Sequence, residues 1–291
     1  MPSSSTAANR SKKPVPVPTP AALQAAANLA KFAKKEAPVR YGFISRERAD
    51  LPAPPLMRLL RGERGGSGGS VRIGLLLSML WFVHDDPTIV FPARAWASLL
   101  GLEGPEVQGA RRIKTALRWL DNNGFIQLET GPGRDAVVHL LEDTGSGRRY
   151  ELPGATYRRL KGNAAAAAPH RYIRLPRELW THGWLSVMSG PAITMLLILW
   201  LESGREVVSE RPPWVWLSPK MAEERYALSE ETRLKGAREL TNLGLINTAR
   251  RAVSPESFEF RRGRNVHQID REALMTGPPG TSLSPFMNPP P

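Results

Sequence analysis

The sequence predicts an α+β protein, mostly helical, in which a small unit of three helices closed by a β-hairpin occurs twice. Three observations carry that reading. First, Ala116-Leu-Arg-Trp-Leu-Asp-Asn-Asn-Gly-Phe-Ile126 is matched 120 positions later by Gly236-Ala-Arg-Glu-Leu-Thr-Asn-Leu-Gly-Leu-Ile246, with Arg118/Arg238, Leu120/Leu240, Asn122/Asn242, Gly124/Gly244 and Ile126/Ile246 coinciding. In each copy a helical apolar spacing runs into a glycine, which can adopt the left-handed conformation that closes a helix, and an apolar residue then opens a strand. Second, the segments upstream of the two copies carry patterns in the same order. Third, 291 residues with 41% hydrophobic content and 8 Trp can fill two modest cores.

Along the chain, residues 1–40 are rich in Ser, Ala, Pro and Lys, and the Pro-Val alternation of 14–20 reads as an extended, flexible basic arm. Thr19-Pro20 can cap a short helix over 21–35 inside it. Residues 41–70 hold short elements, with a strand expected over 41–44, a short helix over 56–60 and a glycine-rich connection over 61–70. That connection lacks the Gly-Lys-Ser/Thr ending of a phosphate-cradling loop. The first unit spans 71–141: an apolar helix over 71–84 closed by Asp85-Asp86-Pro87, a short strand over 88–91, helices over 92–102 and 105–123, and alternating strands over 125–129 and 136–141 around the turn 130–135. A linker is expected over 142–171. The second unit, 172–275, repeats the order with helix 191–203, strand 214–217, helices 218–226 and 229–243, and strands 245–252 and 258–269 around 253–257; residues 172–188 are expected to pack on it as one more helix. Residues 276–291 read as a disordered, Pro-rich tail.

The net charge is +13 and the pI about 10.6. Basic residues recur inside folded-looking segments as well as in the arm, which favours a nucleic-acid partner over a membrane surface. With no Cys, disulfides, thiolate nucleophiles and Cys-type zinc sites are excluded, in keeping with a reducing cytoplasm. The N-terminus has no apolar core of a secretion signal. Residues 183–201 are free of charge, but Ser189-Gly190-Pro191 interrupts them with a helix-start signal, so the apolar run from Ala192 is expected to be a buried core helix with no membrane span.

On the third helix of the first unit the helical period puts Ala110, Ile113, Leu117 and Leu120 on one side and Gln108, Arg111, Arg112, Thr115, Arg118 and Trp119 on the other. Arg and Gln present the paired donors and acceptors that match guanine and adenine edges in a major groove. Arg134, in the hairpin turn, is placed to reach phosphate or a minor groove. The third helix of the second unit opens with Glu230-Glu231, and its outer face is expected to mix Glu231, Thr232, Lys235 and Glu239 with Arg233 and Arg238 at the flanks; acids there suit the helix dipole and repel phosphate. Basic residues of that unit gather instead on its hairpin: Arg250, Arg251, Arg261, Arg262 and Arg264. The five His are scattered without zinc-ligand spacing, and no acidic cluster suggests a two-metal site, so neither catalytic residues nor a metal nor a cofactor are expected. His84-Asp85-Asp86-Pro87 reads as a turn.

Helix, strand, helix, helix, strand, turn, strand is the order of the winged helix-turn-helix, and the chain resembles that superfamily twice, over about 71–141 and 172–270. The pairing of two such units in one basic chain is similar to tandem winged-helix initiators of plasmid and mobile-element replication and to winged-helix regulators. That resemblance implies a non-enzymatic, sequence-specific protein binding double-stranded DNA in replication initiation or transcriptional control, cytoplasmic and nucleoid-associated, with a homodimer left open. The other reading kept open is a winged-helix assembly module that binds a partner protein.

Overall fold

The computed structural model describes residues 15–62, 68–204, 212–252 and 263–283. The first residues of the arm, the middle of the glycine-rich connection, the second hairpin turn over 253–257, Arg261 and Arg262, and the last eight residues of the tail lie outside them.

The chain begins with α1 (Pro20–Ala30), whose start is capped by Thr19 accepting from the Ala22 N–H. Ala22, Leu23 and Ala26 are buried, so the part of the expected arm from residue 15 onward is packed, because one face of α1 is apolar. Then comes β1 (Glu36–Arg40), followed by the single helical turn α2 (Tyr41–Ile44), where the sequence suggests a strand. Next is α3 (Pro55–Arg61).

The first unit holds α4 (Gly69–Phe82), β2 (Thr88–Val90), α5 (Ala93–Leu99), a π-helical turn over Pro105–Gly109 leading into α6 (Ala110–Asn122), then β3 (Ile126–Glu129) and β4 (Val137–Leu140). α4 is apolar on nearly every side, and it is buried on nearly every side. The three strands form one antiparallel sheet in the order β2-β4-β3, with Val138 opposite both Ile89 and Leu128.

The expected linker packs against the fold. It contains α7 (Pro153–Leu160) and α8 (Ala164–Ala167), and Glu142, Asp143, Tyr150 and His170 are buried within it. The expected helix over 172–188 is instead β5 (Tyr172–Pro176) with two single turns, α9 (Glu178–Thr181) and α10 (Trp184–Val187), separated by Gly183 at φ 77°. β5 pairs antiparallel with β1, Pro38 opposite Arg174.

The second unit repeats the first: α11 (Gly190–Ser203), α12 (Pro219–Tyr226), α13 (Glu230–Asn242), β6 (Ile246–Ala252) and β7 (Gly263–Ile269), with α14 (Arg271–Thr276) after it. Its small strand is reduced to a bridge, in which Val215 and His267 exchange both backbone hydrogen bonds (2.7 and 2.9 Å). The order, small strand, second hairpin strand, first hairpin strand, is that of the first sheet.

The repeated sequence ends its helices with the same bonds. Phe125 N–H donates to Leu120 and Leu245 N–H to Leu240, each at 3.0 Å; Gly124 and Gly244 take φ 73° and 75°. This is the glycine-closed helix end that returns the last carbonyls a donor.

The two units share one hydrophobic core. Trp81 of α4 stacks on Trp180 of α9 with ring centroids 4.8 Å apart. The Trp180 indole donates to Ser78 Oγ. At the starts of α4 and α11 the backbones meet, since a Cβ on Gly190 would stand 3.2 Å from the Ser70 nitrogen. Ser189 caps α11 by accepting from Ala192 N–H, so the uncharged run is split at its expected start, and no described helix is long and apolar enough to cross a membrane.

Candidate nucleic-acid interface

α6 is strongly amphipathic. Ala110, Ile113, Ala116, Leu117 and Leu120 are buried, while Arg111, Arg112, Lys114, Thr115 and Arg118 are exposed. Gln108, in the turn before it, is exposed as well. Five of the residues selected from the sequence therefore lie together on one accessible helix face with its lead-in turn. Lys114 belongs to that surface too, a cation the helical spacing shows and the two-face division passed over. No carboxylate occurs between Ala110 and Leu120, and Asp121, next in line, turns toward the hairpin and accepts from Leu128 N–H at 3.0 Å. The face thus carries positive charge without an internal counter-ion, which is what a polyanion needs and what a folded protein otherwise avoids through self-repulsion.

Trp119 is half-buried. Its ring stacks on Phe125 (6.1 Å between centroids, 15° between planes), and the Arg72 guanidinium lies over it at 4.9 Å. Sequence position alone put it on the outer face; the hairpin and the start of α4 close over it from both sides. Arg134 is exposed in the first hairpin turn, which is shaped by Gly131 and Gly133.

The second unit differs in detail from its sequence reading. Arg233 is turned inward. Its Nη1 donates to the Leu217 carbonyl (2.8 Å), its Nη2 stands 3.8 Å from Glu230, and its side chain is 17% exposed, so it fastens α13 to the small strand instead of facing a ligand. Glu239 is also inward: its carboxylate accepts from the Ser189 N–H (2.7 Å) and from the Ser189 hydroxyl at the start of α11. What remains exposed on α13 is Glu230, Glu231, Leu234, Lys235, Arg238, Thr241 and Asn242, with Leu234 47% exposed. A mixed-charge face with an apolar residue in its middle is a poor match for phosphate.

On the second sheet, antiparallel register puts Arg250 on the face shared with Ile246 and Thr248, and Arg251 with its partner Arg264 on the opposite face. That opposite face is aromatic as well as basic. Arg251 lies over Trp214 (4.9 Å) and Arg264 over Trp216 (4.4 Å), Trp216 being 44% exposed. The flat guanidinium packs well on an indole face. Arg250 and Arg251 are exposed and Arg264 is half-buried. The five hairpin arginines read from the sequence thus divide into one on the α13 side, two stacked on tryptophans, and Arg261 and Arg262 outside the described residues.

Burial pushes His267, between the small strand and β6, below the usual imidazole range, and the Arg233 guanidinium adds to the shift. His170 and His182 are lowered by burial too. Among the described residues no cluster of His, Cys, Asp and Glu could hold a metal ion. The densest polar group is internal: the fully buried Arg40 guanidinium bonds Asp143 Oδ1 at 2.6 Å, its backbone N–H donates to Asp143 Oδ2 at 3.0 Å, and Glu142 stands 3.6 Å away. Such a node joins β1 to the chain between the units and has no open face for a substrate.

No protein family, curated protein or solved structure matches the chain.

Proposed function

We propose that the chain is a non-enzymatic, sequence-specific double-stranded DNA-binding protein built from two winged-helix units, acting in replication initiation or transcriptional control, as of a plasmid or mobile element. The observation that carries this is the exposed face of α6 with its lead-in turn, where Gln108, Arg111, Arg112, Lys114, Thr115 and Arg118 stand together and no carboxylate occurs from Ala110 to Leu120. Side chains of this kind on a helix that fits the width of a major groove read base edges. Support for the unit type comes from the strand order, small strand beside the second hairpin strand, which recurs in both halves. In this reading the first unit reads bases, Arg134 and Arg250 add phosphate contacts from the hairpins, and tethering the units raises affinity without new contacts. Selection of duplexes from a random pool by the full chain tests it: a recovered consensus supports the reading, and binding that neither depends on salt nor enriches any sequence removes it.

A second reading concerns the second unit alone. Leu234 is exposed among Glu230, Glu231, Lys235 and Arg238, a surface suited to a protein partner or a second copy of this chain. Crosslinking from position 234 to a protein and not to duplex is its expected signature.

A further inference from the structure

Between the start of α4 and one side of α6 lies a cavity of about 300 Å³ whose polar walls are Arg72, Arg111, Arg112, Thr115 and Trp119. Among the described residues no carboxylate contributes to it. Two N–H donors of these wall residues, Arg72 Nη2 and Trp119 Nε1, are buried without an acceptor among the described residues. Arg72 is nevertheless firmly placed: its Nε donates to the Leu59 carbonyl at 2.8 Å, its guanidinium is stacked on the Trp119 ring at 4.9 Å, and the backbone crowds it so closely that a Cβ on Gly62 or Gly68 would come within 2.5 and 2.8 Å of its terminal nitrogens. The glycines of the connection before α4 thus let the main chain pass beside a fixed guanidinium. Most buried donors in folded proteins have an acceptor, so each one left without an acceptor calls for a partner such as a water or an anion.

In the second unit a carboxylate occupies the corresponding helix start. The position matching Trp119 is Glu239, and its carboxylate reaches the start of α11 and accepts from the Ser189 N–H and hydroxyl. At the corresponding place beside α4 the described residues provide the donors, Arg72 and Trp119, and no anion. We propose that this notch seats one backbone phosphate of the duplex read by α6, with Arg72 as a phosphate-binding residue and Trp119 Nε1 as a second donor. This rests on the DNA-binding reading. The phosphate is assigned to the duplex because Arg111 and Arg112 belong both to the notch and to the exposed face of α6, so a ligand on the face and an anion in the notch are neighbours.

The test is duplex binding by the full chain as a function of salt, on the selected sequence and on a random one, with R72Q, R72K and W119F beside the wild type. A lost phosphate contact lowers the slope of log K against log salt by about one and weakens both duplexes by one factor, about three- to tenfold for R72Q. R72K, which keeps the charge, retains the slope, and W119F, which removes a neutral donor, weakens binding with the slope unchanged. If R72Q does not fold, the W119F and R72K results decide. A wild-type slope in R72Q, or a loss confined to the selected sequence, overturns the assignment. Inorganic phosphate is titrated alone in parallel. If it raises the Tm of the wild type and not of R72Q while the duplex slopes agree, the notch holds a free anion and the duplex assignment is wrong. Failure of the wild type to bind any duplex overturns the DNA-binding reading itself, a result distinct from either.

Discussion

α6 and α13 stand on the same scaffold and offer opposite surfaces. Leu120 and Leu240 are both fully buried, and the helix ends are closed by the same bonds at the same lengths. Arg111, Arg112 and Lys114 of the first copy are matched by Glu231, Thr232 and Leu234 of the second, half-buried Trp119 is matched by inward-turned Glu239, and the exposed Arg118 and Asn122 are matched by the like residues Arg238 and Asn242. Positions that close the helix and fill the core are thus held in common, while the solvent face has been free to change charge and role. Duplication of a scaffold does not duplicate its chemistry.

The comparison presumes that the two units are one folding body, and the largest expected effect tests that. Among the described residues Asp143 is the sole carboxylate hydrogen-bonded to the Arg40 side chain, which is fully buried where β1, β5 and the inter-unit chain converge. D143A leaves a guanidinium in the interior without its partner, a change that costs about 3–5 kcal/mol in other buried pairs. The outcome expected in urea unfolding is a single transition at much lower midpoint. Two separated transitions, one of them unmoved, would show that the units fold independently and that the shared core is incidental.

The next contrast lies inside the repeat. Gly236 packs against α11, where a Cβ would collide with the Pro191 carbonyl oxygen and stand 2.9 Å from Met195 Cβ, whereas the matching Ala116 is buried with its methyl group in place. G236A is expected to destabilise by about 1–3 kcal/mol through overpacking between two helices. A116G should cost about 1 kcal/mol, from the greater freedom of the unfolded chain and a lost methyl contact. Thermal unfolding of both reads the difference; equal losses would mean that α11 and α13 can move apart at no expense.

How far the sequence alone reaches follows from which interactions are local. The repeated elements, the burial of α4 and α11 and the exposed face of α6 are all set by periodicity and by glycine at the helix ends, signals contained within about twenty residues. β1 escaped notice because Pro38 lies in its middle, which argues against a strand, and because its partner β5 is some 130 residues away. The expected linker looked like one because its polar residues, Glu142, Asp143 and His170, are those of a solvated segment; only the arrival of Arg40 from β1 gives them a reason to be buried. Arg233 and Glu239 were read as surface charges for the same reason. Their partners, Leu217 and Ser189, are near in space and unmarked in sequence. Long-range polar pairs leave no periodic trace, so charged residues are where a single sequence misleads.

Arg118 and Arg238 sharpen the functional half of the comparison, since they occupy the same helix position and are both exposed. R118A is expected to cost about 1–3 kcal/mol on a selected duplex and to relax specificity at one base pair, as loss of a base-reading arginine does. R238A, flanked by Leu234 and Lys235 on a face that carries Glu231, should cost less than about 0.5 kcal/mol, the range of ordinary surface changes. Titration of both variants against selected and scrambled duplexes distinguishes them. Equal effects would return α13 to the role of a second base reader.

The smallest effect separates the two sheets. Each central hairpin strand carries a histidine bonded to a neighbouring threonine: His139 to Thr88 (3.2 Å), with Glu129 also at 3.2 Å, and His267 to Thr248 (3.0 Å), with Arg233 nearby. His267 is held below its ordinary value by burial first and Arg233 second, so near the histidine pKa of 6.5 the unfolded chain binds a proton that the folded chain does not. Stability therefore rises with pH through that window: it is level above about pH 7 and falls as acid drops the pH through the unfolded value toward the lower folded one. His170 and His182, also lowered, act in the same direction, so the His267 share must be isolated by substitution. H267Q keeps a polar side chain facing Thr248 and removes the titration. The variant's midpoint for urea unfolding, followed from pH 7.5 to 5, should fall less steeply than that of the wild type. Parallel curves would mean that the second sheet accepts a proton as readily folded as unfolded, and that Arg233, although turned inward, is too well solvated to oppose it.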